Sequence, residues 1–289
     1  NNGEYLLPEE AGLLLQKKEI EEKYINDINN IEESIAQLKI KYEFLNDLVS
    51  ESGEKLVKAV EYYMKWLGFE SVVNLDDTNP DVLEEDLQID YGDRFLVVEI
   101  KGLGGTSTDK DCNQISKIRY RRAEQRGKFD VFGLYIVNHQ RYMPPKSRAN
   151  PPFSEHQIND ASLDNRGLLT TYELYKAYFL IEEDILKKEL VREELFKTGL
   201  LSLIPKHLKS LGIPTEYFMD GHIAIVNLDG ISLCNGDTVI VKKQDEYFKV
   251  TIESLMVNDN EVDSADSGEI GVKFNKKLKK NSELFIEKI

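Results

Sequence analysis

Between residues 13 and 49 apolar side chains recur at alternating spacings of four and three. The series is Tyr24, Ile28, Ile31, Ile35, Leu38, Tyr42, Leu45 and Val49, with Glu and Lys filling the intervening positions. That is a heptad seam, and it predicts one long helix acting as a coiled-coil arm. Leu56, Val57, Val60, Tyr63, Met64 and Leu67 predict a second helix over residues 52–67, ended by Gly68. The period then drops to two. Leu87 and Ile89 alternate with polar residues, the chain turns at Gly92-Asp93, and Leu96, Val98 and Ile100 resume the alternation. This is a β-hairpin with a two-residue turn. A polar helix is expected over 109–126, a buried strand over 131–137, and a helix through 183 capped by Thr170 or Thr171. The stretch 182–196 is amphipathic. Helix, strands, helix, strand, helix is the order of a mixed α/β sheet flanked by helices.

The hairpin gathers chemistry on one face. If Gly92 and Asp93 form the turn, Tyr91 pairs with Arg94, and counting outward sets Asp86 opposite Glu99. Lys101 shares the face of Glu99, because side chains alternate along a strand. Asp90, four residues from Asp86 on the same face, is the rival first carboxylate; Asp86 is favoured by its position opposite Glu99. Two close carboxylates repel unless a cation lies between them. A hard divalent ion accepts such oxygens and keeps sites for water and phosphate. A lysine beside it can orient the water, so the set suits phosphodiester hydrolysis.

These residues resemble the PD-(D/E)xK nuclease superfamily, the restriction-endonuclease-like fold. The resemblance covers about residues 53–183. It is carried by Glu85-Asp86-Leu87, Val98-Glu99-Ile100-Lys101-Gly102, Gln114-x-x-Lys117, Ile136-Val137-Asn138, Pro144-Pro145-Lys146-x-Arg148 and Leu168-Leu169-Thr170-Thr171-x-x-Leu174-Tyr175. It implies a nuclease in which Asp86, Glu99 and the Ile100 carbonyl hold Mg²⁺, with Mn²⁺ as the alternative ion. It further implies that Lys101 positions water, that Gln114 helps orient the site, and that Lys117 contacts phosphate. Many members carry a metal-holding Glu on the first helix; here Val57 takes that position, with Glu54 and Glu61 nearby.

From residue 213 the pattern changes to short strands separated by Asp220-Gly221, Asp229-Gly230, Asn235-Gly236-Asp237 and Asp266-Ser267-Gly268, which predicts a small β-barrel. Residues 213–286 resemble domain 2 of elongation factor Tu and related translational GTPases. The carrying residues are Leu233-x-x-Gly236-Asp237-x-Val239-x-Val241, Val250-x-x-Glu253-Ser254-Leu255 and Val262-x-x-Ala265-x-x-Gly268-Glu269-Ile270-Gly271-Val272. In that family the barrel is a docking and support module. No GxxxxGK[ST] phosphate loop is present, so GTP hydrolysis is not expected. The expected organisation is a helical arm (1–50), a nuclease-like α/β domain (51–198), a linker (199–212) and the barrel (213–289).

Composition bears on partners. The 289 residues carry a net charge of −15, which excludes a protein coated with positive charge. The basic residues are concentrated after the hairpin, where Lys117, Arg119, Arg121, Arg122, Arg126 and Lys128 face a single acid, Glu124. Lys117, Arg119, Arg121 and Arg122 are the candidate phosphate contacts, DNA being the first expected partner and RNA the second. The seam offers a homodimer interface and the barrel a site for a protein partner. Two distant cysteines and four scattered histidines form no zinc motif and fit a reducing cytoplasm. No membrane span or signal peptide is read, and the chain opens on Asn1, as a fragment or processed protein would. The competing expectation is a non-catalytic protein that binds nucleic acid or a partner through a nuclease-like fold. Ribosome association through the barrel is a third.

Overall fold

The computed structural model describes residues 7–75 and 85–287. Glu84, the first residue of the acidic run before the hairpin, lies outside the described residues.

The expected long helix is two helices, α1 (Pro8–Lys41) and α2 (Glu43–Ser50), separated at Tyr42, which leaves helical geometry at φ −106° and ψ 10°. Two environments meet there. Residues 9–41 are all exposed, whereas Leu45 and Leu48 of α2 are buried. The Tyr42 ring packs edge-on against Tyr178, so the break seats α2 on the body of the protein. Helix α3 (Gly53–Trp66) buries the predicted stripe, and Gly68 at φ +94° lets the chain reverse.

Six strands form the first sheet: β1 (Ser71–Asn74), β2 (Leu87–Tyr91), β3 (Arg94–Gly102), β4 (Val131–Asn138), β5 (Arg166–Thr170) and β6 (Gly199–Leu200), in spatial order β1-β2-β3-β4-β5-β6. The first three pair antiparallel and β3 to β6 pair parallel. The parallel pairs need crossovers. These come from α4 (Asp109–Arg126) between β3 and β4, α5 (Glu155–Leu163) between β4 and β5, then α6 (Thr171–Glu182) and α7 (Lys188–Glu194) before β6. The ends of these helices are signalled in the sequence. Thr108 and Asp111 form a reciprocal capping box at the start of α4, and Gly127 at φ +64° ends it. Thr170, of the two candidates, caps α6 by accepting from the Glu173 N–H.

The alternation along β3 divides the core. Leu96, Val98 and Ile100 join α2, α3, α6 and α7 on one face. Phe95 and Val97 join α4 residues Cys112, Ile115 and Ile118 on the other. Glu99 and Lys101 continue this second row, so the sheet aims them toward α4.

The C-terminal strands are β7 (Leu208–Gly212), β8 (Glu216–Phe218), β9 (Ile223–Cys234), β10 (Thr238–Lys243), β11 (Glu246–Val257), β12 (Asn260–Val262), β13 (Ser264–Phe274) and β14 (Glu283–Glu287). Their order is β7-β14-β10-β11-β13-β9-β8, with β12 paired to β11. This is a curled antiparallel half-barrel: among the described residues no pairing joins β7 to β8 and closes it. Its inner face is Val239, Val241, Val250, Leu255, Ile270 and Val272. The stretch expected as a linker, 199–212, instead contributes β6 to the first sheet and β7 to the second. Its apolar residues explain this, since Leu201, Leu203 and Leu211 are buried. Exposed ion pairs Lys146–Glu246 and Lys187–Glu287 touch across the junction, and such pairs contribute little.

Candidate active site

The hairpin has the register read from its turn. Gly92 adopts φ +66°, Tyr91 pairs with Arg94, and the ladder runs to Leu87 opposite Val98. Asp86 then extends it by side chain. Its N–H donates to the Val98 carbonyl at 3.0 Å, and its Oδ2 accepts from the Ile100 N–H at 2.6 Å. A backbone donor thus holds one carboxylate oxygen at the sheet level of Glu99. Glu99 is 3% exposed. Its Oε1 lies 2.8 Å from the Lys101 ammonium. Burial draws the Lys101 proton affinity down, but the hydrogen bond and charge of Glu99, with the charges of Asp86 and Asp111, outweigh it and hold the lysine above its ordinary range. Lys101 is therefore an ammonium, a donor rather than a base.

Two neighbours, Tyr135 and Asp111, were not anticipated. Tyr135 lies opposite Glu99 on β4, and its hydroxyl shares a 3.0 Å hydrogen bond with Ser107. Burial pushes the phenol up, and the charges of Asp111 and Glu99 add to the effect. Asp111, in the first turn of α4, accepts from the Thr108 N–H at 2.9 Å and the Thr108 hydroxyl at 2.7 Å. Burial alone would raise its carboxyl; the Thr108 bonds and the Lys101 charge turn the shift downward. The Thr108-x-x-Asp111 capping signal was legible in the sequence. The approach of Tyr135 to Glu99 depends on a parallel register that no turn specifies.

Glu85 is buried and grips Arg122 twice, at 2.6 Å to Nε and 3.2 Å to Nη2. Burial pushes the Glu85 carboxyl up, and the nearby Glu99 charge adds to it. This pair ties α4 to the residue preceding Asp86.

The structure thus brings Asp86, Glu99, Ile100 and Lys101 together. Gln114 is half-buried on α4, and Lys117 and Arg121 are exposed. Spacings of three and four set Asp111, Gln114, Lys117 and Arg121 along one side of that helix. Arg119 pairs with the partly exposed Asp164 at 3.0 Å, Arg122 pairs with the buried Glu85, and the charge of Arg121 also acts on Glu85. Asp90 is exposed near the turn, about 13 Å along the strand from Asp86. Val57 is buried in the core, Glu54 pairs with Lys58, and Glu61 binds Lys65 at 2.5 Å and Asn74 at 3.1 Å. At the rear of the site, a Cβ on Gly102 would meet the Ser52 Cβ at 2.4 Å, so only glycine lets the α2–α3 junction lie against this strand.

The donor set fits Mg²⁺ or Mn²⁺. Two carboxylates and a main-chain carbonyl are hard oxygen donors, and Mg²⁺ commonly rests on one or two carboxylates while keeping its waters. Among the described residues no group of three or more His, Cys, Asp or Glu side chains is arranged to hold a metal ion. An ion here would rest on Asp86, Glu99, the Ile100 carbonyl and water.

No protein-family model and no curated protein matches the chain. Among solved structures, the restriction endonuclease FokI is 17% identical over 59% of this chain and 34% of its own length, with a TM-score of 0.41. The C-terminal domain of a Geobacillus thermoleovorans protein described as a U32 peptidase is 23% identical over 27% of this chain and 98% of its own, with a TM-score of 0.23. Translation elongation factor SelB from Methanococcus maripaludis is 10% identical over 66% of this chain and 39% of its own, with a TM-score of 0.23. These are loose likenesses, and what the site can do is read from its own residues. Among the described residues no helix is long and apolar enough to cross a membrane.

Proposed function

We propose that the protein is a metal-dependent nuclease that hydrolyses phosphodiester bonds of DNA or RNA. The observation that supports this most is the hairpin register, which sets the Asp86 carboxylate, fixed by the Ile100 N–H, beside the buried Glu99 and its Lys101 partner. Asp86, Glu99 and the Ile100 carbonyl would hold Mg²⁺ or Mn²⁺. When bound, the ion supplies a water of lowered pKa and offsets charge on the phosphate. Lys101 would donate to the attacking water or to a phosphate oxygen and so orient it. Gln114 orients the site from α4. Lys117 and Arg121, on the same side of the helix, track the backbone phosphates. The half-barrel is an interaction module for a protein partner.

A second reading is a binding protein without catalysis. Two observations favour it: Arg119 and Arg122 are engaged with acids of the protein itself, and no third carboxylate or histidine completes a metal cluster among the described residues. The test is a cleavage panel of single- and double-stranded DNA and RNA with Mg²⁺ or Mn²⁺. The nuclease reading expects metal-dependent cleavage of at least one substrate, lost on chelation. Binding without cleavage in every arm supports the second reading and removes the first.

A further inference from the structure

Helix α1 has 34 residues, and every one from 9 to 41 is exposed. Its exposed side chains include Tyr24 at 65%, Ile31 at 56%, Ile35 at 46% and Leu38 at 53%. In globular proteins helical stability comes mainly from packing of an apolar face, and α1 packs this face on nothing among the described residues. The seam does not end with α1. It runs on through Tyr42 and Leu45, which pack against Tyr178 and into the core. The stripe that is open on α1 is therefore a working interface one turn later.

We infer that α1 pairs with α1 of a second copy of this chain, antiparallel and centred near residue 33. The heptad places Ile28 and Ile35 at a, and Tyr24, Ile31 and Leu38 at d. An antiparallel pair sets a against d. Centred at 33, Ile28 meets Leu38 and Ile31 meets Ile35, giving four apolar layers across the pair, and Tyr24 stands level with Tyr42, whose ring also packs on Tyr178. Shifting one heptad toward the N-termini sets Glu21 against Leu38. Shifting the other way calls on Leu45, which the chain's own core already buries.

The flanking charges decide the direction. A parallel in-register pair sets each g residue against the next e residue, which places Asp27 against Glu32 on both sides, two repulsive pairs. The antiparallel pair sets g against g and e against e. Asp27 then faces Lys41 on both sides, Ser34 faces its own copy, and Glu32 faces its own copy, giving two attractive pairs against one repulsive. Neither Asp27 nor Lys41 has an ion-pair partner within the chain among the described residues; Lys41 lies over the Tyr42 ring. Tyr42 of one copy stands level with Tyr24 of the other. The two points where the helices enter their own domains are then about 27 Å apart along the axis, at about 1.5 Å per residue. The two hairpin sites sit at opposite ends of the pair.

The test uses the full chain in two steps. Sedimentation should give a dimer, and Ile31→Lys with Ile35→Lys should give a monomer whose sheet and half-barrel remain folded by near-ultraviolet circular dichroism. Direction is read by oxidation in a Cys234→Ser background, since Cys112 is buried and Cys234 is the exposed thiol. Ser34→Cys should form a covalent dimer efficiently and Ile28→Cys should not. Lys41→Glu should weaken the dimer by about 3- to 10-fold, and adding Asp27→Lys should restore it. A monomer at micromolar concentration, a trimer or tetramer, or preferential cross-linking of Ile28→Cys would each overturn the proposal.

Discussion

The Asp86 carboxylate accepts a 2.6 Å hydrogen bond from the Ile100 N–H, across the end of the hairpin ladder. A side chain takes the place of a backbone acceptor there, so Asp86 serves the strand as well as the site. Asp86→Ala removes an ionised acceptor and should cost about 1.5–3 kcal/mol of stability. Asp86→Asn keeps an acceptor oxygen and should cost less than about 1 kcal/mol. Urea denaturation of the two variants checks this. Equal losses would mean that the hydrogen bond does not hold the residue.

Lys101 lies 2.8 Å from Glu99, where a divalent ion would also be attracted. The ammonium and the ion compete for that oxygen. Lys101→Met should therefore bind Mn²⁺ as tightly as the parent or a few-fold more tightly, while cleavage falls by about 100-fold or more. Calorimetry and a cleavage assay on the same protein separate the two effects. Metal binding lost together with activity would make Lys101 a structural support only.

The basic residues of α4 should divide by where they sit. Lys117 is exposed, so Lys117→Glu should weaken nucleic-acid binding and flatten its dependence on salt, with stability within about 0.5 kcal/mol of the parent. Arg122 faces the fully buried Glu85 side chain. Arg122→Gln leaves that charge without its guanidinium and should cost about 3 kcal/mol. Salt titrations of binding and thermal melts distinguish the groups. A stability loss at Lys117 equal to that at Arg122 would contradict the division.

These contrasts mark what the sequence could and could not tell. The hairpin was legible because Gly92-Asp93 specifies a turn, and a turn specifies every pair behind it. Helix α4 was expected over about 109–126, and the structure adds its Thr108 cap and its Gly127 stop. The break at Tyr42 was not, because the heptad spacing passes through it unchanged; only the Tyr178 ring shows why the chain bends. Lys117, Arg119, Arg121 and Arg122 read alike as a basic run. Which of them pair with the protein's own acids depends on Glu85 and Asp164, 37 and 45 residues away from Arg122 and Arg119. Likewise the 199–212 stretch looks like a connector until β5 and β14 are present to pair with it.

Glu194, which binds Lys197 at 2.7 Å and Lys206 at 2.5 Å, should contribute to acid sensitivity. Burial would raise its carboxyl, but the two lysine bonds outweigh burial and lower it. A lowered folded value means that the stabilisation is present above the ordinary glutamate range and is lost as pH falls through the folded value. Glu194→Gln should remove this part of the acid limb, giving a smaller loss between pH 5 and pH 3 in about the range of glutamate titration. An unchanged limb would place the effect elsewhere.

The central claim is that the hairpin register selects Asp86, rather than Asp90, as the acid that works with Glu99. The direct measurement is the rate of Mg²⁺-dependent cleavage by Asp86→Asn, Glu99→Gln and Asp90→Asn beside the parent. The account predicts loss of about 100-fold or more for Asp86→Asn and Glu99→Gln, with Asp90→Asn near the parent rate. Full activity in Asp86→Asn, or its loss in Asp90→Asn alone, would contradict it.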